Sequence, residues 1–122
     1  MKIFVAHSGS FDFRKKLYEP LHASVLNTAH TFIFPHSQGD EYVAREAIKS
    51  CDVVVAEVSM PSTGMGIVLG WADAFGVPIL CIHESGTTFS DSILHVTKRV
   101  IEYNGSHDMV RKIQQHITEL IG

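Results

Sequence analysis

The chain is short of basic residues, of cysteine and of long apolar runs, and each shortage excludes something. Its 10 Lys+Arg are outnumbered by 13 Asp+Glu, for a formal net charge of −3. A surface built to neutralise a phosphate backbone needs the opposite balance, so no nucleic-acid partner is expected. The first apolar run, Ile3 to Ala6, is too brief for the core of a signal peptide or for a membrane span and reads as a strand, so no membrane partner is expected. Cys51 and Cys81 are the two cysteines. They fall in segments that read as a helix end and a buried strand, which is the pattern of free thiols and fits a cytoplasmic protein. Internal repeats and low-complexity tracts are absent. So are the dinucleotide fingerprint and the phosphate-binding loop with its lysine, which leaves no support for a nicotinamide cofactor or ATP, and no cofactor is expected.

What is there fits one domain over residues 1–122, with a single core. "KIFVA" at 2 to 6 reads as a buried strand, and "HSGS" after it as a tight strand-to-helix turn. From Asp12, the residues Leu17, Leu21 and Val25 recur at helical spacing, predicting a helix over 12–28 that Pro20 threatens to kink. "TFIF" at 31 to 34 is a short strand stopped by Pro35. Asp40 then caps a second helix with Val43, Ala47 and Ile48 inward. Asp52 opens "VVVAEV", a strand apolar enough to be covered on both faces. "SMPSTGMG" leads to the helix "IVLGWADAF", with Gly76 as its stop before the strand "PILCI" at 78 to 82. Residues 84–97 read as loop with one helical turn, "RVIEY" at 99 to 103 as an edge strand, and Val110, Ile113, Ile117 and Leu120 as the inner face of a closing helix. Strands alternating with helices over short connections predict an α/β three-layer sandwich whose five-stranded parallel sheet has the order 2-1-3-4-5. Its ligand crevice lies at the carboxyl ends of strands one and three.

The residues at or just past the predicted strand ends are His7, His36, Glu57 and His83, with Ser8, Ser10, Ser59, Ser62 and Thr63 in the adjoining loops. Imidazoles suit proton transfer or anion binding, and hydroxyls with free loop amides suit a phosphate or ribose. Polar loops after strands are also what any such fold presents. The same histidines with Glu57 would satisfy zinc chemically, but no close-spaced ligand pair supports a metal site. In "PSTGMG", Gly64 and Gly66 let backbone approach an anion, or simply permit a tight turn.

The run "CDVVVAEVSMPSTGMGIVLGWADAFGVPILCI", residues 51–82, resembles the nucleoside 2-deoxyribosyltransferase family, especially its 2'-deoxynucleoside 5'-phosphate N-hydrolase branch. The shared features are the Asp that opens the strand, the acidic residue after "VVVA", the Pro-Ser before Gly-x-Gly, and the following Leu-Gly. "KIFVAHSGS" and "LYEPL" agree in a general way. The resemblance implies a flavodoxin-like fold, a nucleoside or nucleotide ligand and a site completed in a homodimer. It also implies cleavage at the anomeric carbon by a glutamate of the pattern Gly-x-Gly-x-Glu-Leu-Gly. Here that position is Val68, in Gly64-Met65-Gly66-Ile67-Val68-Leu69-Gly70, and the position of the sugar-holding Asp is Ala44. Neither side chain can form a glycosyl ester or hold a sugar hydroxyl.

By the same resemblance Ser62, Ser8, Gly9 and Ser10 are expected near sugar and phosphate, with Ser90 or Ser92 reaching a partner subunit's phosphate. Glu57, Asp40, Glu41 and Glu46 are candidates for a relocated carboxylate. The opening "IFVAHSGSFDFRKKLYEPL" is loosely similar to Toll/interleukin-1 receptor-type domains as well. Three functions stay open: a nucleotide-binding protein without the usual nucleophile, an N-glycosidase using Glu57, His7 or His83, and a dimeric interaction module built on the apolar helix around Trp71 and Phe75.

Overall fold

The computed structural model describes residues 1–36 and 44–121. Five parallel strands, β1 (Lys2–His7), β2 (Thr31–Ile33), β3 (Val53–Glu57), β4 (Ile79–Glu84) and β5 (Val100–Tyr103), form one sheet in the order β2-β1-β3-β4-β5. Continuous apolar sequence makes the inner strands, because both of their faces are covered. All five residues of β3 are buried, and β1 is buried from Ile3 to His7. Register runs from Ile3 opposite Val53 to His7 opposite Glu57, then Val54 opposite Ile79 and Glu84 opposite Tyr103. Asp52 closes the amino end of the β1–β3 pair: its carboxylate accepts the Lys2 N–H at 2.7 Å, and its own N–H donates to the Lys2 carbonyl at 2.8 Å.

Alternation along each strand makes two cores. Ile3, Val5, Val53, Val55, Leu80 and Ile82 face one side, where they meet a π turn over Arg14–Tyr18, α1 (Glu19–His22), α2 (Leu26–Ala29) and α5 (Gly105–Ile121). Phe4, Ala6, Val54, Ala56, Ile79 and Cys81 face the other side, covered by α3 (Ala44–Lys49), α4 (Thr63–Ala74) and a 3-10 turn over Asp91–His95. On α5 the buried residues Met109, Ile113 and Ile117 recur every four positions, as one helical face requires. Each such fully buried side chain contributes about 1.5–3 kcal/mol.

Three sequence expectations are corrected. The helix predicted over 12–28 is broken: Pro20 sits at the start of α1, and after His22 the chain turns at Ser24, whose Oγ donates to the Leu21 carbonyl at 2.7 Å. That break rotates Val25 out of the expected stripe, and it is 62% exposed while Leu17 and Leu21 are fully buried. Gly64 and Gly66 do not precede a helix but lie inside α4, which starts at Thr63 with Ser62 as its cap; neither has positive φ, so no tight turn requires them. The glycines that do need φ > 0 are Gly76, ending α4, with Gly86 and Gly105. Finally β4 runs two residues past the predicted end, so His83 is a strand residue. Asp40 as a helix cap, Val43 as an inward residue and Glu41 lie outside the described residues.

Candidate functional site

A cleft of about 450 Å³ opens where β1 and β3 send their connections to opposite sides of the sheet. Phe4, Ala6, His7 and Gly9 come to it from β1 and its loop, Pro35 and His36 from the end of β2, Ala44 from α3, and Ser62, Gly64, Met65 and Val68 from the start of α4. Ser62 is extended (φ −156°, ψ 131°), and its Oγ accepts the Met65 N–H at 3.3 Å, capping the helix and leaving its own proton to donate. A Cβ on Gly64 would meet only the Ser62 Oγ, at 3.8 Å, and one on Gly9 would meet nothing within 4 Å, so lack of space requires glycine at neither position.

His7 is held on every side. Its Nδ1 is 2.9 Å from the Ser8 carbonyl and its Nε2 is 2.6 Å from the Tyr18 hydroxyl, while its ring stacks on Phe13 at 4.3 Å. A carbonyl only accepts, so the network assigns the proton to Nδ1 and makes Nε2 the acceptor of the Tyr18 O–H. Tyr18 in turn accepts the backbone N–H of His36 at 3.1 Å, and Arg14 donates to the His36 carbonyl at 3.0 Å. These two bonds fix the His36 backbone. Its ring, 5.1 Å from that of His7, makes no hydrogen bond among the described residues and is the imidazole available at the rim.

Burial pushes the His7 pKa below its ordinary value, against the Ser8 carbonyl, which favours the charged ring; His36 adds a smaller push downward. The unfolded chain therefore binds a proton more readily than the fold. Stability from this residue is expected to decline as pH falls below about 6.5 and to level off once the lower folded value is passed. Urea midpoints measured between pH 5 and 7.5 should show a shallower loss in His7→Asn than in the wild type; an unchanged slope would exclude His7 as its source.

The other polar strand-end groups go elsewhere. Glu57 is 1% exposed. Its Oε1 accepts the Ser59 N–H at 2.6 Å and its Oε2 accepts the Tyr103 O–H. Burial raises its pKa, partly offset by those two donors, and it is not among the residues lining the cleft. Ser59 accepts the Glu84 N–H at 2.8 Å, tying β3 to β4. His83 faces the α4 side: its ring lies 5.2 Å from Phe89, and its Nδ1 donates to Thr87 at 3.2 Å. The expected single rim of His7, His36, Glu57 and His83 is thus divided: His7 and Glu57, opposite each other in register, point to one face and are taken up by Tyr18 and Tyr103, whereas His83 points to the other face beside Phe89. Among the described residues no group of three or more potential metal ligands assembles.

Of the remaining candidates, Ser8 is buried with its Oγ accepting the Ser10 N–H at 3.1 Å, and Ser10 is exposed. Ser90 and Ser92 line a separate groove of about 440 Å³ with Thr63, Gly66 and the other side of Ser62. Ser90 caps the 3-10 turn. Glu46 is exposed and pairs with Arg45, while Asp40 and Glu41 lie outside the described residues. Trp71 and Phe75, whose apolar character fits either an interaction surface or core packing, pack partly onto the α3/α4 core, and Arg45 and Lys49 approach the Phe75 ring. Tyr18 and Tyr103, which hold the two buried polar groups, were not among the sequence candidates; their partners lie 11 and 46 residues away, beyond any spacing signal.

Known proteins resemble this chain in two ways. No protein-family model matches it. Over 60 residues it is 43% identical to the 5-hydroxymethyl-dUMP N-hydrolase of Rattus norvegicus, covering 45% of this chain and 37% of that protein. Over 39 residues it is 44% identical to the putative 2'-deoxynucleoside 5'-phosphate N-hydrolase 1 of Syntrophotalea carbinolica, covering 32% of this chain and 28% of that protein. The matched stretch is thus 37% or less of the length of these curated relatives. In fold it is similar to a CMP N-glycosidase of Clostridium botulinum, with TM-score 0.68 and 22% identity over 93% of this chain and 99% of that one. It is similar also to a 2-deoxyribosyltransferase of Bacillus psychrosaccharolyticus, with TM-score 0.60 and 19% identity over 89% of this chain and 90% of that one. The resemblance to the nucleoside 2-deoxyribosyltransferase-like family, on its N-hydrolase side, therefore holds in sequence over the matched segment and in fold over most of the chain.

Proposed function

We propose that, within a nucleoside 2-deoxyribosyltransferase-like fold, this chain binds a nucleoside 5'-monophosphate or a similar phosphorylated small molecule without the family's usual N-glycoside cleavage. The observation that carries the reading is the cleft itself. Val68 and Ala44, at the positions where the resemblance puts carboxylates, both line it, beside Ser62, Gly9 and His36, which suit a phosphate. Ser8 and Ser10 adjoin Gly9 at the same loop. Cleavage through relocated groups has less support. Both carboxylate oxygens of Glu57 are engaged away from the cleft, both His7 ring nitrogens are bonded, and His83 is not among the residues lining the cleft, its Nδ1 being bonded to Thr87.

A ligand at 100 times its Kd stabilises a fold by about 2.7 kcal/mol, which for a domain of this size raises the Tm by roughly 8–12 °C. A panel of ribo- and deoxyribonucleoside monophosphates is expected to give such a shift for at least one member, reduced in His36→Ala, with no free base released on incubation. Uniform failure across the panel would remove the reading.

Pairing of two copies belongs to the same proposal. Met60, Ile67 and Leu94 are exposed apolar residues next in sequence to Pro61, Gly66 and Ile93, which line the groove that carries Ser90 and Ser92, and its walls include Val58, Met65, Leu69, Ile93 and Val96. Gel filtration is expected to give a dimer that Ile67→Lys converts to monomer. The cytoplasmic assignment rests on Cys51 and Cys81, both buried as free thiols; no helix among the described residues is long and apolar enough to cross a membrane.

A further inference from the structure

The groove of about 440 Å³ shares Ser62 and Met65 with the cleft and is otherwise lined by different residues. None of them carries a charge or an imidazole, whereas His7 and His36 line the cleft. The groove's side chains are apolar apart from four hydroxyls, those of Ser62, Thr63, Ser90 and Ser92. Two of the four are held alike. The Ser62 Oγ accepts the Met65 N–H at 3.3 Å as the cap of α4, and the Ser90 Oγ accepts the Ser92 N–H at 3.4 Å as the cap of the 3-10 turn. Each hydroxyl still has its proton to donate, and neither proton has an acceptor among the described residues.

An ion brought into this groove would leave water for apolar neighbours with no opposite charge among them, and the fractional charge of a helix end does not offset that loss. A molecule with no polar atom would displace water from both hydroxyls and give nothing back. The geometry points to a second binding site here, for a neutral, largely apolar small molecule whose hydrogen-bond acceptor, a ketone or heteroaromatic nitrogen, is received by the Ser62 and Ser90 hydroxyls. Apolar walls with a few placed polar groups, in a volume of this size, are the usual make-up of small-molecule sites. The inference stands apart from the nucleotide reading, since no phosphate chemistry enters it.

Gly70 allows a test that spares the fold. It lies inside α4 and lines the groove, its φ is not positive, and a Cβ there would meet nothing within 4 Å. Gly70→Leu is therefore expected to gain helix propensity, raising the Tm by about 3–5 °C, while its side chain takes up space at the groove. The probes are acetophenone, ethylbenzene, benzoate and benzylammonium, titrated into the purified chain and followed by two-dimensional amide NMR. The same titrations on Ile67→Lys keep a paired copy from hiding the groove. Acetophenone should shift the Met65 and Ser92 amides, whose bonds end on the two hydroxyls, with a Kd at least about 10-fold below those of the other three. Ser90→Ala should weaken acetophenone by about 3–10-fold and leave ethylbenzene unchanged, and Gly70→Leu should bind neither. Ethylbenzene binding as tightly as acetophenone, a preference for either ion, unchanged binding in Gly70→Leu, or no binding by either protein would each overturn the proposal. None of these outcomes bears on the nucleotide cleft, which Gly70 and Ser90 do not line.

Discussion

Glu57→Ala is expected to destabilise the fold by about 3–5 kcal/mol, because it strips a buried acceptor from two donors and leaves a cavity. The Tyr103 O–H and the Ser59 N–H both end on this carboxylate. Tyr103 is itself buried, at 4% exposed, so it has no ready route to water. Ser59 also accepts the Glu84 N–H, so the loss spreads from β3 to β4 and β5 at their carboxyl ends. Glu57→Gln keeps the volume and one acceptor, and is expected to cost only about 1–2 kcal/mol. Urea unfolding followed by Trp71 fluorescence measures both; a loss under about 1 kcal/mol for the alanine variant would mean that water satisfies the abandoned donors.

The two variants also differ in pH dependence. Burial raises the Glu57 pKa, so between its unfolded and folded values the fold holds the proton more tightly. The stability tied to that proton is present below about 4.3, the ordinary glutamate value, and is lost as pH rises through the raised folded value. Glutamine has no such proton, so the corresponding slope should vanish in Glu57→Gln. This sign is opposite to that expected for His7.

On the proposed reading, the double substitution Ala44→Asp with Val68→Glu is expected to create N-glycosidase activity on deoxyribonucleoside monophosphates, about 10²–10⁴-fold above the wild type. Both positions line the cleft, so the two carboxylates would enter one space. Val68 is half-buried against the α3/α4 core, so its replacement should cost about 1–3 kcal/mol. Release of free base, followed by chromatography on a variant shown by its Tm to be folded, decides the matter. A folded but inert double variant would argue that the cleft has lost the family shape as well as its acids.

Much of the fold was legible because strand burial writes itself into composition. β3 lies between β1 and β4 with a helical layer over each face, so every residue from Val53 to Ala56 had to be apolar, and the run could be read as a central strand. The first helix was overextended because periodicity alone continues through Ser24, whereas its hydroxyl's bond to the Leu21 carbonyl helps the chain turn there. The start of α4 was placed late because Gly64 and Gly66 look like a turn. A Ser62 cap and burial of Met65, Leu69 and Ala72 carry the helix through both glycines.

The candidate site was legible in location and only partly in membership. That polar groups gather at the carboxyl ends of β1 and β3 follows from topology, which short alternating elements and right-handed crossovers restrict to a few choices. Which of those groups share a space does not follow. A residue at a strand end points to one face or the other according to the parity of its position, and the last one or two residues of a strand are set by pairing with a neighbour far away in sequence. His83 went to the Phe89 side because β4 extends to Glu84 opposite Tyr103, and Glu57 turned inward because Tyr103 from β5 supplies its partner. By itself the sequence determined the parallel sheet, the crevice and the apolar residues at Ala44 and Val68. Tertiary structure alone decided that the His36 ring finds no hydrogen-bond partner among the described residues while His7 and Glu57 are bound by tyrosines, since such bonds form between segments that only packing brings together.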